Sequence, residues 1–327
     1  MHFWGFLRCF SLAMVLLFAE QAQADLSYNP ITGRLDVDGG MTRSLYLDDN
    51  ISLGLSLLAG APLFEKPNFA KPARVDTYID PQTGRIDIGS ASLFTVLAAG
   101  NLNNNDSMNG SSYVDGNVGI GGNAIFAVSG GQINGDLYVR TTANAILSGP
   151  GAVHHIFHDA AHNTPIDNAL TDAQNLSDWA WMEMPTNNYT TNGNPFVLLH
   201  NVAITNANQS ITLVAGAHTE VVLSLTDFVM KAGTFTLEGT ATTSFIINIS
   251  RNFSLDNAQI LLAGVPAANV LFNVHGTGSQ ITFNQGTQMS GILIATHRRV
   301  ALNGATVHGR VFADSVNMTG GAHVISQ

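Results

Sequence analysis

The sequence has little charge and almost no cysteine. Only 11% of its 327 residues are Asp, Glu, Lys or Arg, whereas about 25% is usual in soluble domains. With three lysines and a net charge of -10, the chain has few cations to neutralise phosphates, which argues against nucleic-acid binding. The 45% apolar content is enough to form a core and excludes general disorder. The chain has instead 32 glycines and 30 asparagines, which are typical of short strands and tight turns.

The first 24 residues have the organisation of a secretory signal. Arg8 precedes an apolar stretch from Cys9 to Ala19, and a small-x-small cleavage site ends at Ala24. We therefore predict a secreted or cell-surface protein, exported by a signal peptide that is cleaved after Ala24. No later apolar run is long enough to cross a bilayer, so no transmembrane segment is expected. Because the single cysteine lies in the signal, the mature chain should fold without disulfides.

Residues 25–89 contain an internal duplication. The segment from Asn29 to Arg34 (NPITGR) recurs from Asp80 to Arg85 (DPQTGR). Proline fixes φ and glycine suits the left-handed position, so each copy predicts a β-hairpin. We assign residues 25–89 to a small N-terminal β segment.

The rest of the chain, residues 90–327, has a repeat of short alternating strands. Gly116, Val118 and Ser129 recur 19 residues later as Gly135, Leu137 and Ser148. A period near 20 residues predicts a β-solenoid, in which each coil buries its inward residues on the next. After residue 196 the pattern returns as a ladder of inward pairs: Phe253/Leu255, Ile281/Phe283, Val300/Leu302 and Val316/Met318.

A second ladder is apolar on both sides, at residues 245–249, 270–274, 291–295 and 309–313, so another element must cover it. The candidate is a helix near 164–184, with Thr164 as N-cap and Pro165 at the first helical position. Trp179, Trp181 and Met182 fit the same packing role, with ligand stacking as the alternative for the tryptophans. The predicted fold is all-β: a β-solenoid with one long α-helix packed alongside, preceded by the small β-hairpin segment.

Four segments carry a resemblance to a known family: SLFTVLAAGNL, VDGNVGIGGNA, NVLFNVHGTGSQITFNQGTQMSGILIA and VALNGATVHGRVFA. They resemble the bacterial choice-of-anchor A domain, an adhesive module that is similar to the microbial ice-binding proteins. The resemblance covers about residues 90–327 and implies a right-handed β-solenoid at the cell surface or in the medium. Such domains are commonly followed by an anchoring tail, whereas here the last coil is expected to run to Gln327 without one.

The sequence offers no catalytic constellation, so we predict a non-enzymatic protein without a cofactor. The acids after residue 196 are widely spread, which leaves a polysaccharide-active β-helix enzyme as a distant alternative. His154, His158 and His162 would share one face if their segment were helical, an arrangement suited to zinc, nickel or copper. The alternative is a polar loop that leads to the helix.

The outward residues of the first ladder form a candidate binding face. They are small and mostly polar, in two columns: Ser254, Thr282, Ala301 and Asn317, and Asp256, Asn284, Asn303 and Thr319. Such a face suits many weak hydrogen bonds to glycans or proteins of an extracellular matrix, so we predict an adhesive or structural surface protein. Ice binding is the alternative. Self-association is a further possibility if the C-terminal coil leaves an unpaired strand edge.

Overall fold

The computed structural model describes residues 78–100, 106–148, 153–186 and 201–327, together with the backbone of strands at 25–29, 34–38, 43–46, 190–191 and 194–195. The predicted signal and its cleavage site lie outside the described residues. The chain divides into two compact units, residues 1–69 and 70–327. Within the described ranges, no helix combines the length and hydropathy needed to cross a bilayer.

The first unit contains a three-stranded antiparallel sheet. Its strands are β1 (Asp25–Asn29), β2 (Arg34–Asp38) and β3 (Arg43–Tyr46). Asn29 pairs with Arg34, so the first copy of the duplicated motif connects β1 to β2.

The second copy of the motif is a closed turn in the second unit. The backbone amide of Asp80 donates to the carbonyl of Arg85 at 2.9 Å. The Asp80 carboxylate accepts from the amide of Gln82 and the hydroxyl of Thr83, and these bonds lower the pKa of Asp80. Gly84 takes the left-handed conformation with φ +67°. The side chain of Asp80 therefore holds the turn shape that Pro and Gly favour.

The second unit consists mostly of short parallel strands. In chain order they are β4 (Val96–Ala98), β5 (Asp106–Asn109), β6 (Tyr113–Asp115), β7 (Val118–Ile120), β8 (Ile125–Ser129), β9 (Gln132–Asn134), β10 (Leu137–Val139), β11 (Asn144–Ser148), β12 (Ile156–Phe157), β13 (Thr190–Thr191), β14 (Asn194–Pro195), β15 (Asn201–Ile204), β16 (Ser210–Val214), β17 (Glu220–Met230), β18 (Gly233–Glu238), β19 (Ser244–Leu255), β20 (Ala258–Ala263), β21 (Val270–Val274), β22 (Ile281–Phe283), β23 (Gln288–Asn303), β24 (Thr306–Thr319) and β25 (His323–Ile325). Short 3-10 turns occur at Gly89–Leu93, Ala160–His162 and Ala267–Asn269.

Apart from β13 and β14, which pair antiparallel with each other, these strands form three parallel sheets around one apolar core, in a β-solenoid-type fold. Sheet A contains β4, β7, β10, β12, β21 and parts of β17, β19, β23 and β24. Sheet B contains β5, β8, β11, β15, β22 and parts of the same four long strands. Sheet C contains β6, β9, β16, β18, β20, β25 and the first residues of β23 and β24. The long strands turn the corners between sheets, so each coil contributes to all three.

The 19-residue repeat corresponds to successive coils. Val118 pairs with Leu137 and Ser129 pairs with Ser148, in parallel register. A Cβ atom added to Gly135 would lie 2.5 Å from the carbonyl carbon of Gly116. Glycine therefore recurs at this coil corner because the backbones of the two coils pass too close for a side chain.

The coils do not stack in sequence order. On one side β24 pairs with β23, and on its other side it pairs with β4 and β5. The C-terminal strand β25 likewise lies between β24 and β6. The coils of residues 96–148 therefore cover the edge of the C-terminal coil on this side. The condition for self-association through that edge is not met.

Sheet A is covered by helix α1 (Asn163–Met182). The helix begins one residue before the predicted N-cap, Thr164, and the 3-10 turn of residues 160–162 leads into it. Asp159 caps that turn, because its carboxylate accepts from the amides of Ala161 and His162. Apolar residues of α1 pack against the outer side of sheet A: Ile166, Ala169, Ala173, Leu176, Trp179 and Ala180 face Val222, Ile246, Leu271, Ile294 and Phe312.

Two buried asparagines of sheet A attach the helix to the sheet. The side-chain amide of Asn248 donates to the carbonyl of Ala180 at 2.6 Å, and that of Asn273 donates to the carbonyl of Ser177 at 2.9 Å. The amide of Asn273 also donates to the side-chain oxygen of Asn248, and the Ser177 hydroxyl donates to the side-chain oxygen of Asn273. Such a network specifies where the helix docks along the sheet.

Candidate binding face

The outer side of sheet B carries the candidate binding residues in register. Ser254 pairs with Thr282, and Ala301 pairs with both Thr282 and Asn317. Neighbouring strands lie about 4.8 Å apart, so these side chains form one regular column. Three of them are half-buried by their neighbours, and Ala301 is 5% exposed.

The second column is linked by hydrogen bonds between side chains. The amide of Asn303 donates to the side-chain oxygen of Asn284 at 3.1 Å, and the Thr319 hydroxyl donates to that of Asn303 at 3.0 Å. Asp256 is exposed and continues the column on the next coil, where its backbone amide bonds to the carbonyl of Met230. These links hold the side chains in fixed rotamers, as a rigid recognition surface requires.

The structure extends both columns onto coils that the sequence analysis left out. Ser107 pairs with Asn317, and its hydroxyl donates to the side-chain oxygen of that asparagine at 3.3 Å. Asn109, which follows Ser107 by two residues and extends the second column, pairs with Ser129. The signal in the sequence was the alternation Ser107, Met108, Asn109, which matches Asn317, Met318, Thr319. The first column runs across nine strands: Ala203, Val229, Ser254, Thr282, Ala301, Asn317, Ser107, Ala127 and Ile146.

Phenylalanine rings that pack edge to face support sheet B from inside. The ring centroids of Phe228 and Phe253 are 5.2 Å apart, and those of Phe253 and Phe283 are 5.0 Å apart. Both pairs meet edge to face, the arrangement that aromatic quadrupoles favour. The binding face therefore lies over a closely packed layer of aromatic side chains.

An ion pair lies at the corner of sheet B. The guanidinium of Arg251 contacts both carboxylate oxygens of Asp227, at 2.6 and 3.1 Å. This hydrogen bonding, with a further bond from the amide of Asn252, lowers the pKa of Asp227. The pair is exposed on the arginine side, so its contribution to stability is small.

The structure does not meet the condition under which the three histidines would share a helix face. Residues 153–159 include strand β12 and are not helical, so His154, His158 and His162 do not share a helix face. His162 instead lies 2.8 Å from a carboxylate oxygen of Asp159 and stacks on Phe157, with ring centroids 4.3 Å apart. Nowhere in the described ranges do three or more His, Cys, Asp or Glu residues group as metal ligands would.

The tryptophans of α1 lie away from the candidate face. Trp179 is 3% exposed and its ring centroid is 5.3 Å from that of Tyr78. Trp181 stacks on His275 at 4.8 Å with the rings almost parallel. Both side chains therefore join the helix to the rest of the unit.

One buried acid lies where the N-terminal coils meet the last coil. Asp106 is fully buried, and one of its oxygens accepts from the amide of Val316 at 2.6 Å. The other oxygen has no hydrogen-bond partner within the described ranges. Burial, with a smaller contribution from Asp314, raises the pKa of Asp106 to about 7, although the Val316 bond and Arg299 act in the opposite direction.

We expect this acid to make the protein less stable as pH rises. Because the carboxyl has a pKa of 3.8 when unfolded and about 7 when folded, its proton stabilises the folded state fully below pH 4, and this contribution is lost as pH rises through 7. The difference corresponds to about 4 kcal/mol. Asp106→Asn should remove this dependence in urea unfolding between pH 4 and 8, since its amide oxygen still accepts the Val316 bond.

The matched control is Asp256→Asn, which neutralises an exposed carboxylate. It should keep the wild-type dependence of unfolding free energy on pH. An Asp106→Asn variant that also kept that dependence would contradict the assignment.

Residues 87–324 match the model of a family described as "Putative Ice-binding-like adhesive domain". No curated protein matches the chain. Among solved structures, a glycosylated ice-binding protein from Arctic yeast is 19% identical, covers 78% of this chain and 96% of its own, and superposes with a TM-score of 0.51. At this identity the likeness shows a shared fold.

Two other ice-binding proteins superpose less closely. The protein from the Antarctic ascomycete Antarctomyces psychrotrophicus is 21% identical, covers 74% of this chain and 98% of its own, and has a TM-score of 0.48. The domain from Shewanella frigidimarina is 20% identical, covers 73% of this chain and 95% of its own, and has a TM-score of 0.45.

Proposed function

The chain belongs to the ice-binding-like adhesive domain family, and on that premise we propose that it is an extracellular, non-catalytic adhesive module that binds an extended surface through sheet B. The observation that carries the proposal is the pair of aligned outer columns, which continue across the junction between the C-terminal and N-terminal coils. A right-handed solenoid and a cleaved signal at residues 1–24 are parts of the same proposal. Mass spectrometry of the exported protein tests the second, with Asp25 expected as the first residue.

The chemistry of the face favours a hydroxyl-rich polymer, such as a matrix polysaccharide. The side chains of Asn284, Asn303 and Asn317 each offer a donor and an acceptor, and the columns carry few charges. Many such bonds, each weak in water, sum to useful affinity only against a long repetitive ligand.

The test is a change of shape at the centre of the face. Thr282→Tyr should project a ring above the column and lower binding to immobilised polysaccharide at least tenfold, because the ring would hold the polymer away from the neighbouring side chains of the face. Binding is measured as retention on a panel of insoluble glycans. Thr306→Tyr makes the same change at a partly exposed position of sheet C and should bind like the wild type. Equal loss in both variants, or no loss in Thr282→Tyr, would refute the assignment of the face.

Ice is the second candidate surface, and the hydrogen-bonded ladder from Asn284 to Thr319 favours it. A rigid row of small polar groups about 4.8 Å apart can hold water in a regular arrangement. Partitioning of the protein into slowly grown ice, and thermal hysteresis, decide between the candidates. If wild type and Thr306→Tyr enter the ice and Thr282→Tyr does not, ice replaces glycan as the proposed ligand of the face. If wild type is excluded from ice, ice is eliminated as a candidate.

A further inference from the structure

A cavity of about 160 Å³ lies between helix α1 and sheet A. Its walls are apolar and come from three separate parts of the chain: Leu97, Ala99, Leu170, Ala173, Phe312 and Ala313. Polar side chains occur together at Gln174 of the helix and at Thr296 and His297 of the corner between sheets A and B. The site is therefore apolar over most of its lining, with polar groups gathered in one part.

The cavity is associated with an irregularity of β23. Between Ala295 and Arg299 the strand has three residues where β24 has one, Asp314, and the register shifts. The extra residues put His297 at the surface and Arg298 in the interior. Bulges of this kind occur preferentially where a strand redirects side chains toward a site.

Small residues keep the space open. Ala173 and Ala313 are almost fully buried, and both line the cavity, so a longer side chain at either position would occupy it. Protein interiors are packed as densely as organic crystals, with few voids larger than a water molecule. This pocket is larger than such voids and opens to solvent at the exposed His297. An apolar pocket with a few polar groups gathered on one side is typical of a small-ligand site.

We propose that this cavity binds a small molecule with a single six-membered carbon ring and one polar substituent. An apolar cavity of about 150 Å³ accommodates benzene, so one ring fills the volume. The ring would contact Phe312 and the alanines, and the substituent would bond to Gln174, Thr296 or His297. The site is separate from sheet B, and it stands whether or not the proposed adhesive function does.

The test uses phenol as the probe and the full mature protein. Wild type should bind phenol saturably, with methyl NMR signals of Ala173 and Ala313 shifting together and the melting temperature rising with phenol concentration. Ala173→Leu fills the cavity and should weaken phenol binding at least tenfold. Asn168→Leu adds the same side chain at an exposed position of α1 and should bind phenol like the wild type.

Several results would overturn the proposal: no saturable phenol binding by wild type, shifts that avoid the lining residues, or unchanged affinity in Ala173→Leu. If Ala173→Leu fails to fold, Ala173→Val replaces it, with an intermediate loss expected and unchanged affinity counting against the site. Glycan retention by wild type and Ala173→Leu should be equal, so failure here is distinguishable from failure of the proposed function.

Discussion

Gly309→Ala is expected to unfold the solenoid. Gly309 lies in β24 directly opposite Gly291 of β23, with φ +151°. A Cβ atom at this position would lie 1.9 Å from the carbonyl oxygen of Gly291, inside any permitted contact. Because both residues belong to paired strands with neighbours on either side, neither backbone can move away alone. We expect a loss of more than about 4 kcal/mol, in the range reached only by severe disruption, seen as absence of a cooperative thermal transition.

The control separates this clash from backbone strain. Gly216 also has a positive φ, +62°, but a Cβ atom added there would meet nothing within 4 Å. Gly216→Ala should cost about 1 kcal/mol, the usual penalty for a left-handed alanine. A Gly309→Ala protein that melts within a few degrees of Gly216→Ala would contradict the close approach of β23 and β24.

Arg298→Met is expected to be the next most damaging change. Arg298 is 2% exposed, and its guanidinium donates to backbone carbonyls of two preceding coils: Ser250 and Arg251 in one, Gly276 and Ser279 in the other. Methionine keeps most of the aliphatic part of the side chain but ends before the guanidinium position and donates no hydrogen bond. Leaving a carbonyl without a donor costs about 1 to 3 kcal/mol when it is buried. These four carbonyls are only partly buried, so we expect about 1 kcal/mol for each and about 4 kcal/mol in total, measured by urea unfolding.

The comparison variant is Arg251→Met. Arg251 is 67% exposed on its side chain and pairs with Asp227 at the surface, so its replacement should change the free energy of unfolding far less than Arg298→Met does. Similar losses in the two variants would show that the carbonyl contacts of Arg298 do not hold the coil corner.

The columns of sheet B follow from sequence spacing alone, for a clear physical reason. In a strand, alternate residues point inward, so Leu255, Phe283 and Leu302 fix the register and leave Ser254, Thr282 and Ala301 outside. Parallel coils then place these residues side by side. The same reasoning identifies the apolar outer side of sheet A and a helix near 164–184 to cover it.

Other features could not be derived from the pattern. The repeat does not specify which coils are neighbours, because one apolar strand can pair with another almost equally well. The position of β4 beside β24 therefore could not be predicted from the periodicity. The histidine prediction assumed a helix before Asn163, whereas Asp159 and the 3-10 turn start it later. The corner at Ala295–Arg299 also escapes periodicity, because a bulge breaks the alternation on which the prediction depends.

The placement of the last coil inside the stack has a consequence for how the chain folds. Asp106 and Val316, which touch across the junction, are 210 residues apart in sequence, and contacts of such long range form slowly. During synthesis, the coils of residues 96–148 are complete while their neighbour on one side has not yet been made. A translation stop after Asn303 would therefore remove the coil that joins the two parts of the stack rather than a terminal coil, leaving two partial stacks with exposed edges.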